Sequence, residues 1–167
     1  MAVHEHHEKG TRRVACAVVT VSDTRTERDD ESGRRIRTLL EESGHEVVSH
    51  RIVRDEPTLI RDQILLLLTD PNVEAVLMTG GTGISPRDTT FEAIRTLLEK
   101  EIEGFGELFR MLSYQEIGSA AMLSRAVAGI SSGKVLISMP GSTAAVALAM
   151  EKLVIPELGH MLHLLKG

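Results

Sequence analysis

The sequence predicts an α/β protein built on a mostly parallel sheet, with an antiparallel hairpin at one side. Three observations lead there. Short apolar runs without alternation, of which Val14 to Val21 is the clearest, read as strands covered on both faces. Segments of helical periodicity lie between them, as crossover connections require. Two of the strands run directly into glycine turns and helix starts, at Thr79 to Asp88 and at Met139 to Thr143.

Taken in order, residues 1–12 hold His4, Glu5, His6, His7 and Glu8 without periodicity. They read as a solvated, disordered tail with no metal assigned, because nothing nearby fixes ligand geometry. Residues 13–167 are expected to form one domain. The first strand ends in Ser22-Asp23-Thr24. Ligands of open parallel sheets bind beyond the carboxyl ends of strands, so Ser22 and Asp23 are either ligand-facing or ordinary turn residues. Asp30-Glu31-Ser32-Gly33 opens a helix through Ser43, with Ile36, Leu39 and Leu40 on one face and Gly44 as its stop.

Val47 to Val53 form the next strand, with Asp55 at its carboxyl end and Pro57 suited to the first turn of the following helix. Asp55 either complements that helix N-terminus or pairs with Asp88 at one edge of the sheet. Two carboxylates placed so could bind Mg²⁺, which keeps water and takes one or two carboxylates plus substrate phosphate.

The run Val73 to Met78 is a buried strand leading into Thr79-Gly80-Gly81-Thr82-Gly83-Ile84-Ser85-Pro86-Arg87-Asp88. Three glycines in four positions let the backbone turn tightly and approach a ligand where a side chain would collide. Such a turn aims several amide N–H groups at one anion. Thr89 to Leu98 read as a helix, with Thr89 and Glu92 at capping-box spacing. Asp88 would then lie one residue outside it, facing the loop, unless Asp88 is itself the cap.

Gly104 to Leu112 reads as a short helix, and Ser113 to Ile117 and Ser119 to Val127 continue the helical pattern. Ser124-Arg125 could set a hydroxyl and a cation near a phosphate. Ala128 to Ile137 reads as two strands joined by Ser131-Ser132-Gly133, an antiparallel hairpin. The second strand enters Pro140-Gly141-Ser142, again suited to an anion, then a helix from Ala144 to Leu153; Pro156 starts the last helix.

Composition narrows the function. The net charge of −5, no Trp, one Tyr and three Phe argue against a nucleic-acid binder, whether by a basic face or by stacked rings. The single Cys16 lies in an apolar run, cannot form an internal disulfide and suits a reducing cytoplasm. No apolar stretch reaches the ~18 residues of a membrane span, and no signal-peptide core is evident. Gly80 to Gly83 matches neither the Walker nor the dinucleotide pattern.

Jointly and in order, several segments resemble the MoaB/MogA family of molybdenum-cofactor biosynthesis proteins, in particular its MoaB branch. They are Thr20 to Thr24, Asp30 to Gly33, Asp55-Glu56, Thr79 to Asp88, Gly104 to Gly118, Met122 to Gly129 and Met139 to Thr143. The resemblance covers nearly everything beyond the tail. It implies a three-layer α/β/α sandwich that binds molybdopterin. In the adenylyltransferases of the family, Mg-ATP converts molybdopterin to its adenylylated form with release of pyrophosphate, and a MoeA-like insertase then loads molybdate.

Carried over by position, Asp55 and Asp88 match the family's two functional aspartates, with Mg²⁺ as their metal. Thr79, Gly80, Gly81, Thr82, Gly83, Ser113, Ser124 and Arg125 match the molybdopterin side. Ser22, Asp23, Asp30, Gly141 and Ser142 match the nucleotide side. One departure is Ala144, where the plant and animal adenylyltransferase domains place the second Asn of Asn-Pro-Asn. The alternative is a non-catalytic molybdopterin-binding or carrier protein; a pyrophosphatase of the CinA type is disfavoured because the additional domain is absent. The family also implies a homotrimer or homohexamer.

Overall fold

The computed structural model describes residues 12–167; the His-rich tail therefore lies outside the described residues, apart from Arg12. Six strands form one sheet: β1 (Ala15–Val21), β2 (Glu46–Val53), β3 (Ala75–Thr79), β4 (Lys100–Glu101), β5 (Val127–Ser131) and β6 (Lys134–Met139), in the spatial order β2-β1-β3-β6-β5-β4. β1 pairs in parallel with β2 and β3, and β3 with β6. β5 is antiparallel to both β6 and β4, so it alone runs against the rest. Ser132 and Gly133, both at positive φ, turn the β5–β6 hairpin, as a two-residue connection matched to strand twist requires.

Successive residues of one strand face opposite sides of a sheet, and here both sides are dry. Cys16, Val18, Ala75, Leu77, Val135 and Ile137 enter one core, while Ala17, Val19, Val76, Met78 and Leu136 enter the other. The first core is closed by α1 (Glu31–Glu42), α4 (Glu103–Ile117), α5 (Thr143–Ala149) and α6 (Ile155–Leu165). The second is closed by α2 (Pro57–Thr69) and α3 (Thr90–Arg95). The result is the three-layer sandwich. Fully buried side chains such as Ile36, Leu77 and Phe109 each contribute about 1.5–3 kcal/mol relative to exposure. A π-helical turn, Met150–Val154, joins α5 to α6 in one continuous rod.

Three local expectations are corrected. The capping box at Thr89 does not form: α3 starts at Thr90, the Thr89 hydroxyl donates to Asp55, and Glu92 is held by Arg125. Charged partners brought by the fold outcompete the local cap. The helix also stops at Arg95, because the chain beyond it is captured by β5: Glu99 N–H donates to the Ile130 carbonyl, and Lys100–Glu101 pairs as β4. Finally, Ser119 to Val127 is not one helix. α4 ends at Gly118, a 3₁₀ segment covers Gly118–Leu123, and Val127 opens β5, where pairing with Ser138 of β6 overrides the helical periodicity.

Candidate active site at the carboxyl edge of the sheet

The strand order reverses direction between β1 and β3: the chain leaves β1 toward β2 on one side and returns to β3 on the other. Loops after β1 and β3 diverge at such a point and leave a crevice above the strand ends. Ser22-Asp23 and Thr79 to Gly83 border this crevice.

The glycines meet a demand of the backbone. Gly80 has φ 98° and Gly81 φ 67°, conformations that cost L-residues free energy. A Cβ on Gly80 would overlap the Val21 carbonyl of β1, and one on Gly81 would strike the Thr90 hydroxyl and come within 2.8 Å of Asp55 Oδ2. Gly80 N–H donates to the Met139 carbonyl (3.1 Å), and the Thr79 hydroxyl to the Pro140 carbonyl (2.9 Å). Gly141 packs so closely that its Cβ would lie 3.3 Å from the Gly80 Cα. The loop after β3 thus rests on the turn after β6.

Asp55, buried at the end of β2, pins the far side of the loop. Its Oδ1 accepts from Thr89 N–H (3.1 Å) and from the Thr89 hydroxyl (2.8 Å). Its own N–H donates to Asp23 Oδ1 (3.1 Å), and Asp23 Oδ2 binds the Arg87 guanidinium (2.8 Å). The hydrogen bond from Arg87 holds the Asp23 carboxyl below the usual carboxylate range. A chain of contacts therefore runs from Arg87 through Asp23 and Asp55 to Thr89, on both sides of Asp88. Asp88 Oδ2 accepts from Ser85 N–H (3.0 Å) and lies under the Gly83 Cα.

Arg125 closes the loop from outside. Its guanidinium donates to the carbonyls of Thr82 (3.0 Å) and Gly83 (2.6 Å), pairs with Glu92, and stacks 5.0 Å from the Phe91 ring centroid. The hydrogen bond from Arg125 lowers the Glu92 pKa. Arg125 thus shapes the loop, turning carbonyls outward toward itself. Ser124, just before it, gives its carbonyl to Arg110 (3.5 Å). Ser113 is buried on α4, beside Phe109 in sequence register.

On the nucleotide-side positions, Ser22 Oγ accepts from the N–H groups of Thr24 and Arg25. Asp30 is 1% exposed and caps α1 through Gly33 N–H (3.0 Å), while its other oxygen accepts from Thr20 (2.7 Å) and His50 (2.9 Å). Ser142 caps α5, accepting from Ala145 N–H (3.2 Å). The structure thus brings Ser22, Asp23, Asp55, Thr79 to Gly83, Asp88, Gly141 and Ser142 to one edge, with Asp30 beneath and Ser113 set back in α4.

Four residues were not foreseen. Arg25 donates to Ser32 (2.6 Å) and to the Gly141 carbonyl (3.2 Å), tying the β1 loop to the β6 turn. Arg87 and His50 fasten Asp23 and Asp30. The Thr90 hydroxyl is buried against Gly81 without a hydrogen-bond partner. Gly141, Asp23 and Asp30 lie 116, 64 and 20 positions from Arg25, Arg87 and His50, so only Thr90, which follows the glycine motif closely, carried a local signal.

An open sheet with a glycine loop at positive φ, a buried carboxylate and a cationic brace at its switch point defines a doubly wound α/β protein with a candidate ligand crevice beyond its strand ends. A family profile described as "Probable molybdopterin binding domain" matches residues 17–160. Molybdenum cofactor biosynthesis protein B of Halalkalibacterium halodurans is 51% identical over 163 residues, 97% of this chain and 96% of that one. A crystal structure of a molybdenum cofactor biosynthesis protein B superposes with TM-score 0.91 at 54% identity, covering 93% of this chain and 98% of that one. The tungsten cofactor synthesizing protein MoaB of Pyrococcus furiosus superposes with TM-score 0.82 at 38% identity, covering 93% and 99%. The chain belongs to the MoaB/MogA family of molybdenum-cofactor biosynthesis proteins, on its MoaB branch.

Proposed function

We propose that the protein binds molybdopterin by its terminal phosphate and transfers an adenylyl group from Mg-ATP to that phosphate. The observation that carries this reading is the rigid Gly80-Gly81 loop locked between Asp55 and the β6 turn, a preformed cradle for a phosphate. Beside it, a groove of about 410 Å³ lined by Ile84, Asp88, Glu92 and Arg125 offers room for the pterin.

In this reading, an oxygen of the pterin phosphate attacks the α-phosphorus of ATP, and the bond to the bridging oxygen breaks as pyrophosphate departs with the electron pair. The chain contributes positioning and charge neutralisation, the usual sources of rate in phosphoryl transfer. Thr89 fixes the Asp55 carboxylate, and the Ser85 amide fixes Asp88. Among the described residues Asp55 Oδ2 and Asp88 Oδ1 have no protein hydrogen bond and would be free to receive Mg²⁺, and no group of three or more His, Cys, Asp or Glu gathers as a metal cluster, so phosphate and water would complete the shell. Bound there, the ion would offset charge on the phosphates.

One observation favours the carrier reading. Ala144 is exposed without a polar group, so that position offers the nucleotide no side-chain donor, although Ser142, whose Oγ accepts from Ala145 N–H, keeps its O–H to donate. Incubation with molybdopterin and Mg-ATP, following pyrophosphate and adenylylated product, separates the two. We expect product from the native chain and a loss of about 10²-fold or more in Asp88→Asn. Tight molybdopterin binding with no product in either protein would establish the carrier.

Assembly follows from α4. Phe105 and Phe109 are core, but Leu108, Met111, Tyr114 and Ile117 expose an apolar face continued by Met122 and Leu123. Such a face marks an interaction surface. In this reading it joins copies into a trimer or hexamer, a MoeA-like insertase receives the product, and light scattering showing a monomer would refute the assembly.

A further inference from the structure

Beside the crevice, between α1 and the edge strand β2, lies a cleft of about 510 Å³ lined by Glu27, Asp30, Arg34, Arg37, His50 and Arg51. The Arg34 and Arg37 side chains and the His50 imidazole line it with two carboxylates, in a chain whose net charge is −5, while Arg51, between His50 and Ile52 on β2, alternates to the opposite face of the sheet. One of those carboxylates is already spent: Asp30 accepts from Gly33, Thr20 and His50 inside the fold. Much of the donor capacity, in contrast, is free. Arg34 uses one terminal nitrogen on the Glu27 and Arg28 carbonyls, and Arg37 uses Nε on Glu41. His50 is held through Nε2, so Nδ1 remains for a ligand.

The cleft also communicates with the crevice. Ile52 of β2 is in register with Thr20 of β1, and Thr20 with Thr79 of β3. Two strand spacings, about 10 Å, therefore separate the cleft from the glycine loop. Arg25 bridges them, 3.9 Å from Asp30 at one end and bonded to the Gly141 carbonyl at the other.

We propose that this cleft is a polyphosphate site that receives the β- and γ-phosphates of the nucleotide and then holds the departing pyrophosphate. The role as a leaving-group site rests on the adenylyl-transfer reading above; the binding of a condensed phosphate does not. Planar guanidinium groups suit phosphate oxygens in bidentate geometry. Arg34 and Arg37 are exposed, so their replacement by Gln leaves the fold intact.

The test is calorimetric titration of the full chain with inorganic pyrophosphate and with AMP, together with the imidazole resonances of His50 during the pyrophosphate titration. Arg34→Gln and Arg37→Gln should each weaken pyrophosphate about tenfold, the worth of a charge-assisted contact, and leave AMP unchanged. Arg35→Gln should not weaken it, since Arg35 sits on the same helix but pairs with Glu151 outside the cleft. The His50 resonances should move with pyrophosphate in the native chain. Absence of pyrophosphate binding, or binding indifferent to both Arg34 and Arg37, overturns the proposal. Pyrophosphate binding that depends on these arginines, in a protein forming no adenylylated product, would uphold the polyphosphate site and refute the reaction.

Discussion

Two turns follow adjacent parallel strands, and in sequence they look alike: each is a strand, a glycine and a helix start. In the fold they differ. The turn after β3 holds Gly80 and Gly81 at positive φ and is fastened by charged groups from β1, β2, α3 and the segment before β5. The turn after β6 has Ser142 in ordinary extended backbone, one hydroxyl cap and one charged tie, Arg25 on the Gly141 carbonyl. The first is a shaped device; the second is the wall it leans on. A glycine next to a strand end therefore says little until its dihedral angles and its neighbours are known.

Substitution of the two glycines should break the symmetry most sharply. Gly80→Ala sets a methyl against the Val21 carbonyl at φ 98° and should cost about 3 kcal/mol or more, read as a lower denaturant midpoint. Gly141→Ala meets only the Gly80 Cα at 3.3 Å and should cost about 1 kcal/mol or less.

Next in size is the brace. Arg125→Lys loses the fork that spans the Thr82 and Gly83 carbonyls and Glu92, and should destabilise the loop by about 2 kcal/mol. Hydrogen exchange at the loop amides would show it, with the β6 turn unaffected. Ser142→Ala, the corresponding loss at the second turn, removes one cap and should cost about 1 kcal/mol.

The smallest effect is one of pH. The Glu92 carboxyl is held below its ordinary 4.5 by the hydrogen bond from Arg125. The unfolded chain therefore binds its proton first on acidification. The contribution is complete above pH 4.5 and is lost as pH falls through the lower folded value. Exchange at the β3 loop should rise over that acid range and lose this dependence in Glu92→Gln; the β6 turn has no such partner.

Much of the framework was legible because it depends on neighbours in sequence. The apolar runs of β1, β3 and β6, the Ser132-Gly133 hairpin and the Asp30 helix start all follow from composition over a few residues. β4 was not legible, because Lys100 and Glu101 have no strand character of their own and pair only since Ile130 and Gly129 are alongside. At the site the division is similar. Gly80 to Gly83 advertised a loop, whereas Arg25, Arg87 and Arg125 reach Gly141, Asp23 and Thr82, which lie 116, 64 and 43 positions away. A lone arginine in a sequence carries no mark of which carbonyl it will meet.

The wide turn between α5 and α6 has a consequence for how the chain can vary. Val146, Met150, Val154, Leu158 and Leu162 are all buried and spaced by fours. In a uniform α-helix each step of four overshoots a full revolution by about 40°, so the last of them would drift far around the rod. A π turn takes more residues per revolution and draws the drift back. Deleting one residue between Met150 and Val154 would let the rod wind uniformly and still leave Leu158 and Leu162 on the buried face, whereas a deletion in the uniform part of either helix would swing everything beyond it by about 100°. The wide turn is thus the place where the rod can lose a residue.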